Sequence, residues 1–194
     1  MNARERQRLL RVAIHEAGHA FASYRLGARF EYVSIVPNLE EMSAGHVQGT
    51  PWPSAVHIDS HLDSRSQSHL ERHVIVLWAG PVAEKRFSGR FNWIGARGDT
   101  HAISELAWFI VDGHSDGMKA FSNWMRFKAE ELLMPPYHWA GVEALAHALV
   151  EQRMIRSTDA RKIIRAGMQA WLDEKTAAHP VLSLAVTDTS KAIA

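Results

Sequence analysis

The residues with the clearest chemical potential are two histidines and a glutamate near the N-terminus, in the order His15-Glu16-Ala17-Gly18-His19. Two histidines four positions apart lie on the same face of a helix, so both imidazoles can bind one zinc ion. The glutamate after the first histidine can then take a proton from a zinc-bound water and serve as the base of a peptide hydrolysis. We therefore predict His15 and His19 as zinc ligands and Glu16 as the catalytic base.

A catalytic zinc ion usually has a third protein ligand, which the motif itself does not supply. The residues after His19 do not continue toward a third histidine, so this ligand must come from further along the chain. The candidates are Glu84, Asp99, His101 and Glu105. Asp99 follows a glycine-rich loop, where aspartate is a favoured helix N-cap. From the residues alone, a cap is the preferred interpretation of Asp99 over a metal ligand.

Composition limits the classes of function that this chain can have. Its 194 residues are 46% hydrophobic and 22% charged, which fits one globular domain. A formal charge of +1 argues against a nucleic-acid partner, which requires a concentrated basic surface. The chain has no cysteine, so a transition-metal site must use imidazole and carboxylate. No stretch is typical of a secretory signal or a membrane helix, so we expect a cytoplasmic protein with no membrane segment.

Hydrophobic periodicity predicts a mainly α fold with a small β-hairpin near the N-terminus. The predicted helices cover about 4–26, 70–87, 99–112, 116–133, 139–152 and 158–172, and the predicted strands cover 30–36 and 45–48. Residues 155–157 are predicted as a turn. The first strand is expected either to pack in the core, which is the preferred interpretation, or to edge a cleft and align an extended peptide. We predict one domain over 1–177 and a flexible tail over 178–194.

Five segments, in order, resemble the peptidase domain of the FtsH family of ATP-dependent zinc metalloproteases. They are RVAIHEAGHAFASY, VSIVPN with AGHV, VIVLWAGPVAEKRFSG, GARGDTHAISELA and WAGVEALAHALVEQRMI. The resemblance covers about 4–164, and the family's order of segments is kept. It implies a helical zinc-metallopeptidase domain in which Asp99 is the third zinc ligand beside His15 and His19, with Glu16 as the base. That implication reverses the preference for Asp99 as a cap.

The same resemblance carries further expectations and three departures. Glu84 aligns with an acidic pair of the family and is expected either to orient a ligand histidine or to be a solvated helix residue. Lys85 replaces the second acid of that pair, and Arg97-Gly98 replaces small polar residues before Asp99. The family's ATPase module and membrane helices have no counterpart here. We therefore expect a stand-alone peptidase acting on peptides or unfolded proteins, with a separate ATPase and homo-oligomerisation as further partners to consider.

Other residues leave alternatives open. The pairs His57/His61 and His69/His73 have helical spacing, but their polar surroundings favour a solvated face over a second metal site. His46 is expected in a strand, facing either the active cleft or ordinary surroundings, and Trp93 is expected to line a site. The main functional alternative is a catalytically inactive FtsH-like adaptor that binds a larger assembly. A zinc hydrolase that acts on bonds other than peptide bonds is the third hypothesis.

Overall fold

The computed structural model describes residues 2–37, 45–49 and 63–178 as six helices and a three-stranded antiparallel sheet. The helices are α1 (Ala3–Leu26), α2 (Ser64–Ser88), α3 (Arg97–Ile110), α4 (Ser115–Leu133), α5 (Pro136–Gln152) and α6 (Ser157–Ala178). The strands are β1 (Phe30–Ser34), β2 (His46–Gly49) and β3 (Met154–Arg156). The predicted fold class, mainly α with a small sheet, is confirmed. Across these ranges, no helix has both the length and the apolar character needed to cross a bilayer.

Helix α1 is the central element of the fold and carries the HExxH motif. Its N-terminus is capped by Asn2, whose side-chain oxygen accepts a hydrogen bond from the Glu5 N–H at 2.9 Å. Every residue from Ala13 to Ser23 is buried, whereas the charged first turns are exposed. The helix packs mainly against α2 and α5, so the motif lies in the interior of the domain.

Close packing of α1 on α2 depends on glycines on both helices. A Cβ at Gly18 would lie 2.6 Å from the backbone oxygen of Ala79 and 2.7 Å from the Cβ of Ala83, closer than real Cβ atoms come. A Cβ at Gly80 would overlap the imidazole of His19. Glycine costs a helix interior about 1 kcal/mol relative to alanine, and here it allows the two backbones to approach. The motif histidines are thereby brought directly against α2.

The sheet has β1 in the centre, with β2 on one side and β3 on the other. Val33 of β1 is opposite Val47 of β2 and Ile155 of β3. The third strand is a correction, because the sequence predicted a turn at 155–157, and three residues are too few to show strand periodicity. A central strand has both edges paired, so the hypothesis that the first strand aligns a peptide at a cleft edge is wrong for β1.

Two predicted helix boundaries differ from the structure by six residues. Helix α2 begins at Ser64, six residues before its predicted start, because Asp63 caps it by accepting from the Ser66 N–H at 2.7 Å. Helix α6 continues to Ala178 instead of ending near 172, and its last turns are exposed, so no buried stripe marks them in the sequence. Of the predicted tail, only Ala178 lies within the described residues.

Candidate metal centre

The two motif histidines lie one turn apart on the buried face of α1. Their ring centroids are 4.8 Å apart, and the rings meet edge to face. His15 is 8% exposed and His19 is 7% exposed, so neither imidazole is a surface group. Buried imidazoles require hydrogen-bond partners for their ring nitrogens, and the partners found here determine what the site can bind.

The Nδ1 atom of each imidazole faces an oxygen acceptor on α2. His19 Nδ1 lies 2.8 Å from the backbone oxygen of Val76, and His15 Nδ1 lies 3.1 Å from Oε2 of Glu84. A carbonyl oxygen can only accept, so the Nδ1 of His19 carries a proton and donates it. In the neutral ring, the lone pair is then on Nε2, which is the arrangement typical of metal-binding histidines.

Both Nε2 atoms point to the carboxylate of Asp99, which comes from the first turn of α3. Asp99 Oδ2 lies 3.1 Å from His15 Nε2, and Asp99 Oδ1 lies 3.3 Å from His19 Nε2. The ligand atoms of the three residues lie within 4.8 Å of one another, the one such group that the described residues contain. His15, His19 and Asp99 thus form a triad able to bind a metal ion.

The interpretation of Asp99 as a helix cap is wrong. Helix α3 begins at Arg97, two residues before the predicted start, and its N-cap position is Ala96, with no side-chain cap hydrogen bond. Asp99 lies inside the first turn, where a carboxylate also interacts favourably with the helix dipole. Its carboxylate is directed to the two imidazoles rather than to the helix N–H groups.

The other candidates for the third ligand do not join the triad. His101 and Glu105 are exposed and pair with each other along α3, with 3.5 Å between His101 Nδ1 and Glu105 Oε2. Glu84 is 5% exposed, so the alternative of a solvated helix residue is wrong. It contacts His15 from the Nδ1 side, opposite the ring nitrogen that faces Asp99.

Mutual contacts shift the pKa values of the triad. Burial lowers the pKa of His15, but hydrogen bonds to Asp99 and Glu84 outweigh it and raise that pKa to about 10. Burial also lowers the pKa of His19, and the charge and hydrogen bond of Asp99 raise it by more. Burial raises the pKa of Asp99, yet the charge of His19 and both imidazole hydrogen bonds hold it below its usual range. The protonated imidazoles supply the positive charge that a divalent cation supplies when it binds.

Glu16 lies on α1 between the two histidines and is 6% exposed. Gly45 packs against its side chain so closely that a Cβ at Gly45 would lie 2.9 Å from Glu16 Oε1. Burial raises the pKa of Glu16, and the neighbouring charges of His15 and His19 oppose that rise. A raised carboxyl pKa gives a stronger base, which is the property that a general base near neutral pH requires.

Two residues that the sequence interpretation missed hold Glu84 in place. Arg11 Nε lies 3.0 Å from Glu84 Oε1, and the side-chain amide of Asn92 donates to the same oxygen at 2.9 Å. Arg11 lies one helical turn before His15 on α1, so helical periodicity in the sequence could have predicted that it lies near His15. Asn92 comes from the loop after α2, and no pattern in the sequence links it to Glu84.

Among the described residues, the remaining predicted ones do not belong to the group of candidate metal ligands. His46 Nε2 lies 3.1 Å from the hydroxyl oxygen of Tyr32. The charge of His46 lowers the pKa of Glu16, but its effect is smaller than those of burial and of the charges of His15, His19 and Asp99. Trp93 is 60% exposed and packs against Phe91. His69 is exposed on α2 and His73 lines a cavity beside α3, whereas His57 and His61 lie outside the described residues.

No family model matches this chain, and no curated protein sequence matches it. The resemblance to the FtsH peptidase domain therefore stays a prediction from five sequence segments.

Proposed function

We propose that this chain is a zinc-dependent metallopeptidase that hydrolyses peptide bonds. One observation carries the proposal: each imidazole has an oxygen acceptor at Nδ1, which leaves both Nε2 atoms directed to Asp99. This is the arrangement by which outer-shell partners orient histidines that bind a catalytic metal. The buried carboxyl group of Glu16, between the two histidines on α1, supplies the base that hydrolysis requires.

The donor set fits zinc. Two imidazole nitrogens and one carboxylate oxygen are a common ligand set of catalytic zinc, and they leave one coordination position open. Ligands about 2.0–2.1 Å from a tetrahedral ion are ~3.3 Å apart. The Asp99 oxygens lie 3.1 Å and 3.3 Å from the two Nε2 atoms, and the ligand atoms of the three residues lie within 4.8 Å of one another, so the group must contract to hold an ion at His15, His19 and Asp99.

In the proposed chemistry, Glu16 carries one proton from the attacking water to the leaving amine. When bound, zinc acts as a Lewis acid toward water and the scissile carbonyl. Glu16 accepts a proton from the water that attacks the carbonyl carbon, and it returns that proton to the leaving amine as the C–N bond breaks. One C–O bond forms, one C–N bond breaks, and Glu16 ends in its starting protonation state. Glu84 and the backbone oxygen of Val76 hold the two imidazoles in one orientation throughout.

The FtsH resemblance extends the proposal to peptides and loosely folded proteins as substrates. Of the described strands, β2 begins beside Gly45, which packs on Glu16, and it is an outer strand of the sheet. An extended peptide that pairs with β2 would run past the base. A separate ATPase that unfolds substrates, and self-association of the chain, belong to the same proposal.

The test compares peptide cleavage by the zinc-loaded native chain and by Glu16→Gln, with zinc content measured on the same samples. Glu16→Gln keeps all three ligands and removes the base. We therefore expect full zinc content and a cleavage rate that is reduced roughly 100-fold or more. Glu151→Gln, at an exposed glutamate of α5, is the matched control and should keep full activity. Zinc-loaded native protein without cleavage activity would contradict the proposal and favour the adaptor alternative.

A further inference from the structure

Helix α4 has an apolar face on each of its two sides. The side turned to the core is formed by three buried residues, Met125, Ala129 and Leu133. The outer face of α4 consists of Trp124, Phe127 and Met134, which are 52%, 46% and 59% exposed. The backbone is still helical at Met134, and residues separated by three and ten positions project from the same side of a helix. A surface helix normally presents polar residues to solvent, so a second apolar face is typical of an interaction surface.

Trp124 and Phe127 form an aromatic pair that is held in one arrangement. Their rings are stacked, with 5.5 Å between the centroids and 15° between the ring planes. The Nζ of Lys128 lies 5.0 Å from the centroid of the Trp124 ring, which adds a cation–π contact. Covering the exposed half of each ring would remove roughly 100 Å² of surface from water. Because the pair is already ordered, little side-chain entropy is lost when a partner covers it.

A cavity of about 390 Å³ opens beside the outer face, between the last turns of α2 and α4. Its apolar lining is formed by Val82, Leu133 and Met134. Its polar lining consists of Arg86 and of the ion pair between Lys85 and Glu130. Met134 also belongs to the outer face, so the cavity and the face are continuous. Apolar walls together with two cations suit an aromatic side chain.

The aromatic pair and the cavity are neighbours on one helix, so two antiparallel copies of α4 can each fill the cavity of the other. With a two-fold axis at the level of residues 129–130, Phe127 of each copy lies at the level of residues 132–133 in the other, beside the cavity. Lys128 of each copy then lies at the level of Glu131 in the other, and both residues are exposed. Two contacts between opposite charges therefore flank the two aromatic contacts.

We propose that the outer face of α4 pairs with the same face of a second copy of this chain, as an antiparallel two-fold dimer. One face supplies both the aromatic pair and the cavity, so each contact is made twice, as a two-fold interface requires. The face is a single helix wide, which is small for a stable interface, so we expect a dissociation constant on the order of micromolar. The inference specifies the self-association that belongs to the proposed function, but it does not depend on zinc or on peptidase activity.

Sedimentation velocity of the full native chain over a wide concentration range, with zinc supplied and again with a chelator, measures the assembly. We expect a monomer–dimer equilibrium in both conditions. Trp124→Ala/Phe127→Ala should raise the dissociation constant roughly tenfold or more, because buried aromatic residues carry much of the binding energy of an interface. The matched control is Trp108→Ala/Phe109→Ala on α3, since these rings are 52% and 44% exposed and also contact each other. The dimer of this control should be unchanged.

A charge exchange tests the antiparallel arrangement. Lys128→Glu and Glu131→Lys each place like charges across the two-fold contact, so each variant alone should dimerise severalfold more weakly than the native chain. An equal mixture of the two variants restores both contacts between opposite charges, so a mixed dimer should form more tightly than either variant with itself. Effects within one helix are the same in the mixture and in the separate samples, so only a contact between copies can produce this gain.

Three results would overturn the dimer. They are a native chain that stays monomeric at all concentrations, an assembly that Trp124→Ala/Phe127→Ala leaves intact, and no gain when Lys128→Glu is mixed with Glu131→Lys. Zinc content and peptide cleavage are measured on the same native sample. A native chain that dimerises without zinc or cleavage activity would overturn the peptidase proposal and leave the dimer standing, and an active monomer would do the reverse.

Discussion

The Nδ1 atom of His19 lies 2.8 Å from the backbone oxygen of Val76, so a residue of α2 sets the orientation of a ring on α1. Because the acceptor is a main-chain oxygen, no substitution of the Val76 side chain can remove it. The orientation of His19 depends instead on how closely the two helices pack. We therefore expect metal binding by the triad to depend on the α1–α2 interface.

Gly80→Ala should disrupt the site through this interface. The added methyl group would overlap the His19 imidazole, so the ring must rotate or α2 must move away. We expect zinc affinity to fall at least tenfold, as it does when outer-shell support of a ligand is lost. Isothermal titration with zinc measures this effect directly.

Gly98→Ala is the control for that substitution. Gly98 lies in α3 next to Asp99, but a Cβ there meets nothing within 4 Å. Zinc affinity should be unchanged, and the helix should gain up to about 1 kcal/mol of stability from alanine. Equal zinc affinity of Gly80→Ala and the native chain would show that α2 does not set the orientation of His19.

Glu84→Gln tests the support of the other ligand histidine. The amide keeps the size of the side chain but removes the charge that the Nδ1 of His15 and the guanidinium of Arg11 both contact. We expect zinc affinity to fall roughly 10- to 100-fold, the usual effect of losing an outer-shell carboxylate. Arg11→Gln should produce a smaller loss, and the two effects should not add, because both act through the orientation of Glu84.

An exposed ion pair on the same helix provides the comparison. Lys85 Nζ lies 3.3 Å from Glu130 Oε1, and both side chains are open to solvent. The zinc affinity of Lys85→Ala should equal that of the native chain within experimental error, since exposed ion pairs contribute little to stability. An unchanged zinc affinity in Glu84→Gln would mean that His15 holds its orientation without the carboxylate.

Stability of the metal-free chain should fall as pH rises above neutrality. The pKa of His15 is raised from 6.5 to about 10, so its favourable contacts are fully present below pH 6.5 and are lost as pH rises through about 10. Urea unfolding with a chelator should show a loss of at least ~1 kcal/mol between pH 7 and pH 10. With zinc bound, the ring is a neutral ligand in both conditions, so this loss should be absent.

His15→Gln provides the control for the pH effect. Because this variant has no titrating imidazole at position 15, the stability of its metal-free form should fall less between pH 7 and pH 10 than that of the native chain. His101→Gln, at an exposed histidine of α3, should keep the native pH dependence. A metal-free native chain whose stability is constant from pH 7 to pH 10 would contradict the raised pKa of His15.

How far the sequence predicts the site follows from the distances along the chain. His15, Glu16 and His19 occupy one helix, so their spacing alone places both rings on one face. Asp99 is 84 residues from His15, and its local context favours a helix cap, so only the family resemblance pointed to the triad. Which of the possible roles Asp99 takes depends on the packing of α3 against α2, and local propensity carries no information about that packing.

Main-chain and loop contributions were beyond the reach of sequence patterns. The Val76 carbonyl has no side-chain signature, and Asn92 reaches Glu84 from a loop that no periodicity describes. The strand β3 is three residues long and forms because Ile155 packs against Val33 from a distant part of the chain. The six described helices were recognised because apolar residues recur in them at helical spacing, although not all of their ends were predicted correctly.

The central claim is that His15, His19 and Asp99 bind one zinc ion, and metal analysis by mass spectrometry tests it most directly. The protein is purified without a histidine tag, as the native chain and as Asp99→Ala. We expect about one zinc per native chain, with zinc lost or greatly weakened in Asp99→Ala because the remaining pair of imidazoles is an incomplete site. No zinc in the native chain after zinc is supplied, or equal zinc in both proteins, would contradict the claim.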